Sequence, residues 1–151
     1  MQYALDITLK NRKILNSIIE KFSLEELNKV PDGFKNNLIW NIAHVIVTQQ
    51  LLIYNLSGLP MLTSDAMVVT YRKGSKVERD LSQDEINEIK ELLFTSVEKL
   101  KTDYEAGYFK TYTAYTTSTN STMTNVEEAI AFNNFHEGIH LGYILALKKS
   151  I

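Results

Sequence analysis

Residues 36–56 read NNLIWNIAHVIVTQQLLIYNL, and the way this stretch is packed decides the fold. It is the most apolar run in the chain, yet Asn41, His44, Thr48, Gln49, Gln50 and Asn55 interrupt it. A membrane span would not carry so many polar groups, so the run reads as a helix enclosed by protein on several sides. Trp40, His44, Val47 and Leu51 form one inward stripe of that helix. Ser57-Gly58-Leu59-Pro60 stops it, since glycine accepts left-handed backbone and proline cannot continue a helix.

Neighbouring stretches supply the enclosing surfaces. Over 3–22, Leu5, Leu9, Ile14, Leu15, Ile18 and Ile19 make one broad stripe, the pattern of an amphipathic helix. Ser23-Leu24-Glu25-Glu26 is a capping box that opens a short helical turn, closed by Pro31-Asp32-Gly33. A second box, Ser82-Gln83-Asp84-Glu85, starts a helix whose inner face carries Ile86, Ile89, Leu92, Leu93, Val97 and Leu100. Thr124-Asn125-Val126-Glu127 is a third box, and the helix it begins runs to about Lys149, with Lys148 and Lys149 suiting its negative end. Four long amphipathic helices in so short a chain predict an all-α four-helix bundle.

The connections are less regular. Residues 61–81 show no helical period; Met67-Val68-Val69-Thr70-Tyr71 reads as a short extended piece and Lys73-Gly74-Ser75 as a turn. A connection this long permits a crossover topology and is often functional. Residues 110–123 are rich in threonine, tyrosine and serine, and the β-propensity of 111–117 suits a short hairpin or an ordered loop.

Composition narrows the function. With 151 residues, 44% hydrophobic and 23% charged, the chain is expected to form one globular domain over 1–151. The net charge is −2 and the basic residues are scattered, so nucleic acid is not the expected partner. There is no cysteine, which excludes disulfides, thiolate ligands and a cysteine nucleophile; any thiol in the chemistry must come from a small molecule. The first twenty residues mix Asp6, Lys10, Arg12 and Lys13 into a periodic apolar pattern and do not read as a signal peptide, so the expected location is the cytoplasm.

Two of the three histidines stand four apart in His136-Glu137-Gly138-Ile139-His140. On a helix both rings leave one face about 6 Å apart along the axis, a spacing that lets them converge on one divalent ion. The third, His44, is also mid-helix on an apolar stripe, so all three can lie at similar depth. Buried histidines also occur as ordinary core residues. Two neutral rings without a shared partner, however, leave nitrogens costing about 1–3 kcal/mol each if unmet. A cation satisfies them together. The segment also matches the H-E-x-x-H pattern of zinc proteases, with Glu137 as general base. Those enzymes take a third ligand downstream, and no His, Asp or Glu follows His140. Glu137 points roughly 100° away from His136 and serves equally as a solvent-facing charge.

Leu38-Ile39-Trp40-Asn41-Ile42-Ala43-His44 and His136-Glu137-Gly138-Ile139-His140-Leu141-Gly142-Tyr143-Ile144, with the Leu56-Ser57-Gly58-Leu59-Pro60 step between them, resemble the DinB superfamily. That superfamily includes the YfiT-like metal-dependent hydrolases. The likeness follows the element order of nearly the whole chain and rests on the three histidines and their flanks. It implies a four-helix bundle, commonly a homodimer, holding zinc or nickel on His44, His136 and His140. Relatives include enzymes that transfer low-molecular-weight thiols such as bacillithiol, and a mycothiol-dependent isomerase. One departure is Tyr143, where the family often has glutamine.

Three neutral imidazoles leave a divalent metal an open position, giving either hydrolysis or thiol transfer. Asn133, one turn before His136, and Thr48, one turn after His44, are expected to line the site or orient its ligands. Gly138 and Gly142 suggest close approach of a neighbouring helix or room for substrate. Tyr71, Tyr112 and Tyr115 are candidates to cover the pocket mouth. The leading expectation is a metal-dependent small-thiol transferase or hydrolase acting on a small molecule. The alternative is a non-catalytic metal- or ligand-binding dimeric bundle.

Overall fold

A computed structural model describes residues 1–151. The chain is mostly helical: α1 (Gln2–Lys21), α2 (Leu24–Asn28), α3 (Leu38–Gln49), α4 (Asp65–Tyr71), α5 (Gln83–Glu105) and α6 (Val126–Leu147). One small antiparallel pair, β1 (Tyr115–Thr116) with β2 (Thr122–Met123), lies between α5 and α6. No helix is long and apolar enough to cross a membrane.

α3 is the central element. Every one of its residues except Thr48 is buried, because α2, α4, α5 and α6 all pack against it. α1 lies across from it and packs against α5 and α6. Asn37 caps α3, its side-chain oxygen accepting from the Trp40 amide at 2.8 Å while its Nδ2 donates to the Asn28 carbonyl at 2.8 Å. The cap therefore also fixes where α2 sits.

The stretch expected as one helix to Leu56 changes pitch before it ends. After Gln49 a π-helical turn, Gln50–Tyr54, and a 3-10 turn, Asn55–Ser57, complete it. The wider turn leaves Gln49 and Gln50 both fully buried. Gln50 is occupied by the Leu62 amide, at 2.8 Å. Gly58, at φ +70°, then closes the helix as its sequence predicts, its amide donating to the Asn55 carbonyl.

Two local expectations are corrected. Residues 67–71 are helical, as the end of α4. Ser64 caps that helix by accepting from the Met67 amide, and Met67, Val68 and Tyr71 pack on the core. The cap and this packing outweigh the strand preference of Val68-Val69-Thr70. The cap of α6 is Asn125 rather than Thr124. Asn125 accepts from the Glu128 amide at 2.9 Å, while the Glu128 carboxylate accepts from the Thr124 amide at 2.6 Å. The expected box at Thr124 and Glu127 is thus not formed: the cap is one-sided, and the Glu128 carboxylate reaches past Asn125 to the residue before it. The boxes at Ser23 and Ser82 form as expected.

The threonine-rich connection is ordered by bonds to the end of the central helix. The Thr113 amide donates to Leu56 O at 2.7 Å, Tyr112 Oη to Leu52 O at 2.9 Å and Thr111 Oγ1 to Ser57 O at 3.2 Å. The hairpin turn beyond them reverses through Asn120, at φ +61°, a conformation asparagine tolerates.

Candidate metal centre

Packing of α3 against α6 brings the three histidines together. One ring nitrogen from each of His44, His136 and His140 lies within 4.8 Å of the others. His44 Nε2 and His136 Nε2 are 3.2 Å apart, and ring centroids are separated by 4.6 to 5.1 Å. Two nitrogens bound tetrahedrally at ordinary zinc–imidazole distances stand about 3.3 Å apart. The observed pair already has that separation.

Neighbouring oxygens set which nitrogens carry protons. His44 Nδ1 donates to the Tyr71 carbonyl at 2.6 Å, which leaves the lone pair on Nε2. Asn41 Nδ2 donates to the Asn37 carbonyl at 2.8 Å, so its oxygen faces the other way, where His140 Nδ1 donates to it at 3.1 Å. Two rings thus present bare Nε2 atoms, the form a metal ligand needs. His136 Nδ1 is buried without a partner. Trp40 stacks on His44, centroids 4.9 Å apart and planes 9° from parallel, and its Nε1 donates to the Thr70 carbonyl at 3.2 Å. Successive carbonyls at the end of α4 therefore hold both rings in place.

Burial keeps all three rings neutral at physiological pH. It lowers His44; it pushes His136 down to about 3, helped by His140, His44 and Arg12, and His140 to about 4, helped by His44. Neutral imidazoles are the donors that zinc and nickel bind.

Thr48 reaches the site, its Oγ1 3.3 Å from His44 Nε2. Asn133 does not: it is buried, and its amide donates to Glu137 Oε1 at 2.8 Å. Glu137 is not solvent-facing but fully buried. Its carboxylate accepts from Arg12 Nη2 at 2.7 Å and from Arg12 Nε at 3.2 Å. Gln49 Oε1 accepts from the same guanidinium at 3.4 Å. None of the Glu137 hydrogen bonds goes to a histidine, and work as a general base would require release of Arg12. Sequence reading missed Arg12 and Asn41. The signal for each is weak, a polar residue at a position whose periodicity is apolar.

A cavity of about 360 Å³ opens beside the cluster, with His44, His136 and Thr48 at its base. Leu51, Leu56, Phe132 and Phe135 give it apolar walls, and Lys73, Tyr115 and 117–119 its rim. Of the three tyrosines expected at the mouth, Tyr115 lines the cavity. The Tyr71 side chain is buried in the core, and the Tyr112 hydroxyl is bonded to Leu52. Gly138 and Gly142 do not mark close helix contact, because a side chain at either would meet nothing within 4 Å. They lie on an exposed face of α6 with Phe135, Ile139 and Tyr143, each about half exposed.

No curated protein matches the chain. A family model described as the DinB superfamily matches residues 8–144.

Proposed function

The chain belongs to the DinB superfamily, and on that premise we propose that it is a metal-dependent enzyme whose His44, His136 and His140 hold one divalent cation, zinc or nickel. The reading takes α1, α3, α5 and α6 as the four helices of a single-domain bundle. The observation that carries it is the 3.2 Å between His44 Nε2 and His136 Nε2, with the His44 proton committed to Tyr71 on the opposite nitrogen. When bound, the ion supplies a Lewis acid that lowers the pKa of a thiol or of water.

The chain's own residues do the rest. Tyr71 and Asn41 hold two imidazoles in the ligating tautomer, Thr48 places a hydroxyl beside the His44 nitrogen, and the apolar walls exclude bulk water. No carboxylate lines the cavity, so ionisation of the bound group rests on the ion alone, and a thiol, with a free pKa of about 8.5 against about 15.7 for water, needs far less help. This favours transfer of a small thiol over hydrolysis. The cysteine-free sequence agrees, the thiol arriving with the substrate. The reading places the protein in the cytoplasm, where small thiols stay reduced.

A second reading, a non-catalytic metal- or ligand-binding homodimer, draws on the exposed stripe of Phe135, Gly138, Ile139, Gly142 and Tyr143 on α6. Such a stripe suits a second copy of the chain.

Metal analysis of untagged protein tests the first step, with about one equivalent of zinc or nickel per chain expected. Transfer of small thiols to electrophiles then separates enzyme from scaffold. A His44→Ala variant as active as the parent would remove the mechanism.

A further inference from the structure

Two of the three histidines have Nδ1 bound to an oxygen, His44 to the Tyr71 carbonyl and His140 to Asn41 Oδ1. His136 does not; its Nδ1 is buried and unpartnered. A second buried atom without a partner, Asn133 Oδ1, stands one turn earlier on the same helix. Residues three apart on a helix are neighbours, and a helical side chain leans over the turn that precedes it, so the His136 ring covers the turn that carries Asn133. The carboxamide is held in one orientation. Its Nδ2 donates to Glu137 Oε1 at 2.8 Å, and Arg12 Nη2 in turn donates to that oxygen at 2.7 Å. An ionised carboxylate takes only donors, so Oδ1 is the end of the amide left free.

His44 Nε2 is bare, because that ring's proton sits on Nδ1, and it lies 3.2 Å from His136 Nε2. Without a cation between them two lone pairs at this distance repel, so His136 donates Nε2–H to its neighbour and its Nδ1 is a bare acceptor. With a shared cation both Nε2 lone pairs face the ion. The His136 proton then belongs on Nδ1, where a buried donor left unmet costs about 1–3 kcal/mol. We propose that His136 changes tautomer when the site fills, and that Asn133 is its positioning residue, Oδ1 accepting from Nδ1–H after a small rotation of ring or amide. The Nε2 proton passes to solvent through the adjoining cavity and a solvent proton returns to Nδ1, so the ring is neutral before and after. A line of bonds then runs from Arg12 through Glu137 and Asn133 to the ligand. The proposal rests on the metal reading and adds to it what prepares the third ring.

The test follows the ring nitrogens of isotope-labelled protein by long-range proton–nitrogen NMR, without metal and with about one equivalent of zinc, His136 being assigned from His136→Gln. His136 is expected to carry its proton on Nε2 without zinc and on Nδ1 with it, the Nδ1 proton exchanging slowly and lying downfield as a hydrogen-bonded one does. In Asn133→Leu that proton should exchange rapidly, and zinc affinity, measured by chelator competition, should fall about 10- to 100-fold. The Nδ1 protons of His44 and His140 should stay as in the parent, which a general loosening of the core would not allow. Zinc bound through His136 Nδ1, one tautomer in both states, or an Asn133→Leu protein with the parent's affinity and exchange would each overturn the proposal and leave the metal site standing. Should Asn133→Leu fail to fold, the zinc-loaded parent decides: a slow, downfield Nδ1 proton supports the proposal and a fast-exchanging one overturns it. No change at any ring on adding zinc or nickel would overturn the metal reading, and the proposal with it.

Discussion

The backbone carbonyl of Tyr71 accepts a 2.6 Å hydrogen bond from Nδ1 of His44. This contact joins the end of α4 to the middle of α3 and settles which nitrogen of the ring faces its two companions. A main-chain acceptor cannot be removed by substitution at position 71. The ring's orientation therefore depends on α4 being helical and docked.

The equivalent contact at His140 is open to substitution. Asn41→Leu removes the oxygen that fixes the ring while keeping α3 apolar. Zinc or nickel affinity is expected to fall about 10- to 100-fold, measured by competition with a chelating dye, with the circular dichroism spectrum unchanged. An unaltered affinity would show that Asn41 serves packing alone.

Acid should destabilise the metal-free protein before ordinary carboxylates titrate. His136 and His140 ionise at about 3 and 4 in the fold, against 6.5 normally, because burial disfavours the charged ring. His44 shifts the same way. As the pH falls the unfolded chain takes up these protons first, so stability is full above 6.5 and drains away toward 4 and 3. Glu85, held at about 2 chiefly by Arg79, adds its own loss only below 4.5. Urea midpoints between pH 6.5 and 4.5 should decline in the parent and decline less in His136→Gln. Parallel curves would contradict the assignment.

Arg12 and Glu137 form a fully buried pair, and removing one partner strands the other's charge. Arg12→Met is expected to cost about 3–5 kcal/mol, while Arg12→Met with Glu137→Leu recovers much of that loss. Denaturant titration of the three proteins decides it. A single variant within about 1 kcal/mol of the parent would mean that the carboxylate finds another partner or a proton.

Gly142 lies open on α6, where an added side chain meets nothing within the chain. Gly142→Glu should fold as well as the parent yet place a charge within the exposed apolar stripe, beside Ile139 and Tyr143. Light scattering after gel filtration is expected to show a dimer for the parent and a monomer for the variant. The same mass for both would move any interface elsewhere.

The helical class, two capping boxes and the facing histidines were legible because each depends on local spacing. His136 and His140 are four apart, and Gly58 follows an apolar run. What escaped depends on partners far away in sequence. Arg12 looked like one more polar break in an amphipathic helix, and only Glu137, 125 residues on, explains its burial. The 67–71 segment showed strand-forming residues, but Ser64 and the α3 surface settle its conformation. The π-helical turn after Gln49 leaves no mark in the hydrophobic pattern, since the residues on both sides of it remain apolar.

The cavity divides its labour between two kinds of backbone. Its nitrogen donors ride on α3 and α6, whereas Lys73, Tyr115 and residues 117–119 stand in the long connections. Connections tolerate replacement far better than packed helices do. Descendants of this scaffold can thus reshape the mouth of the cavity by rewriting two surface segments, while the histidine cluster passes on untouched.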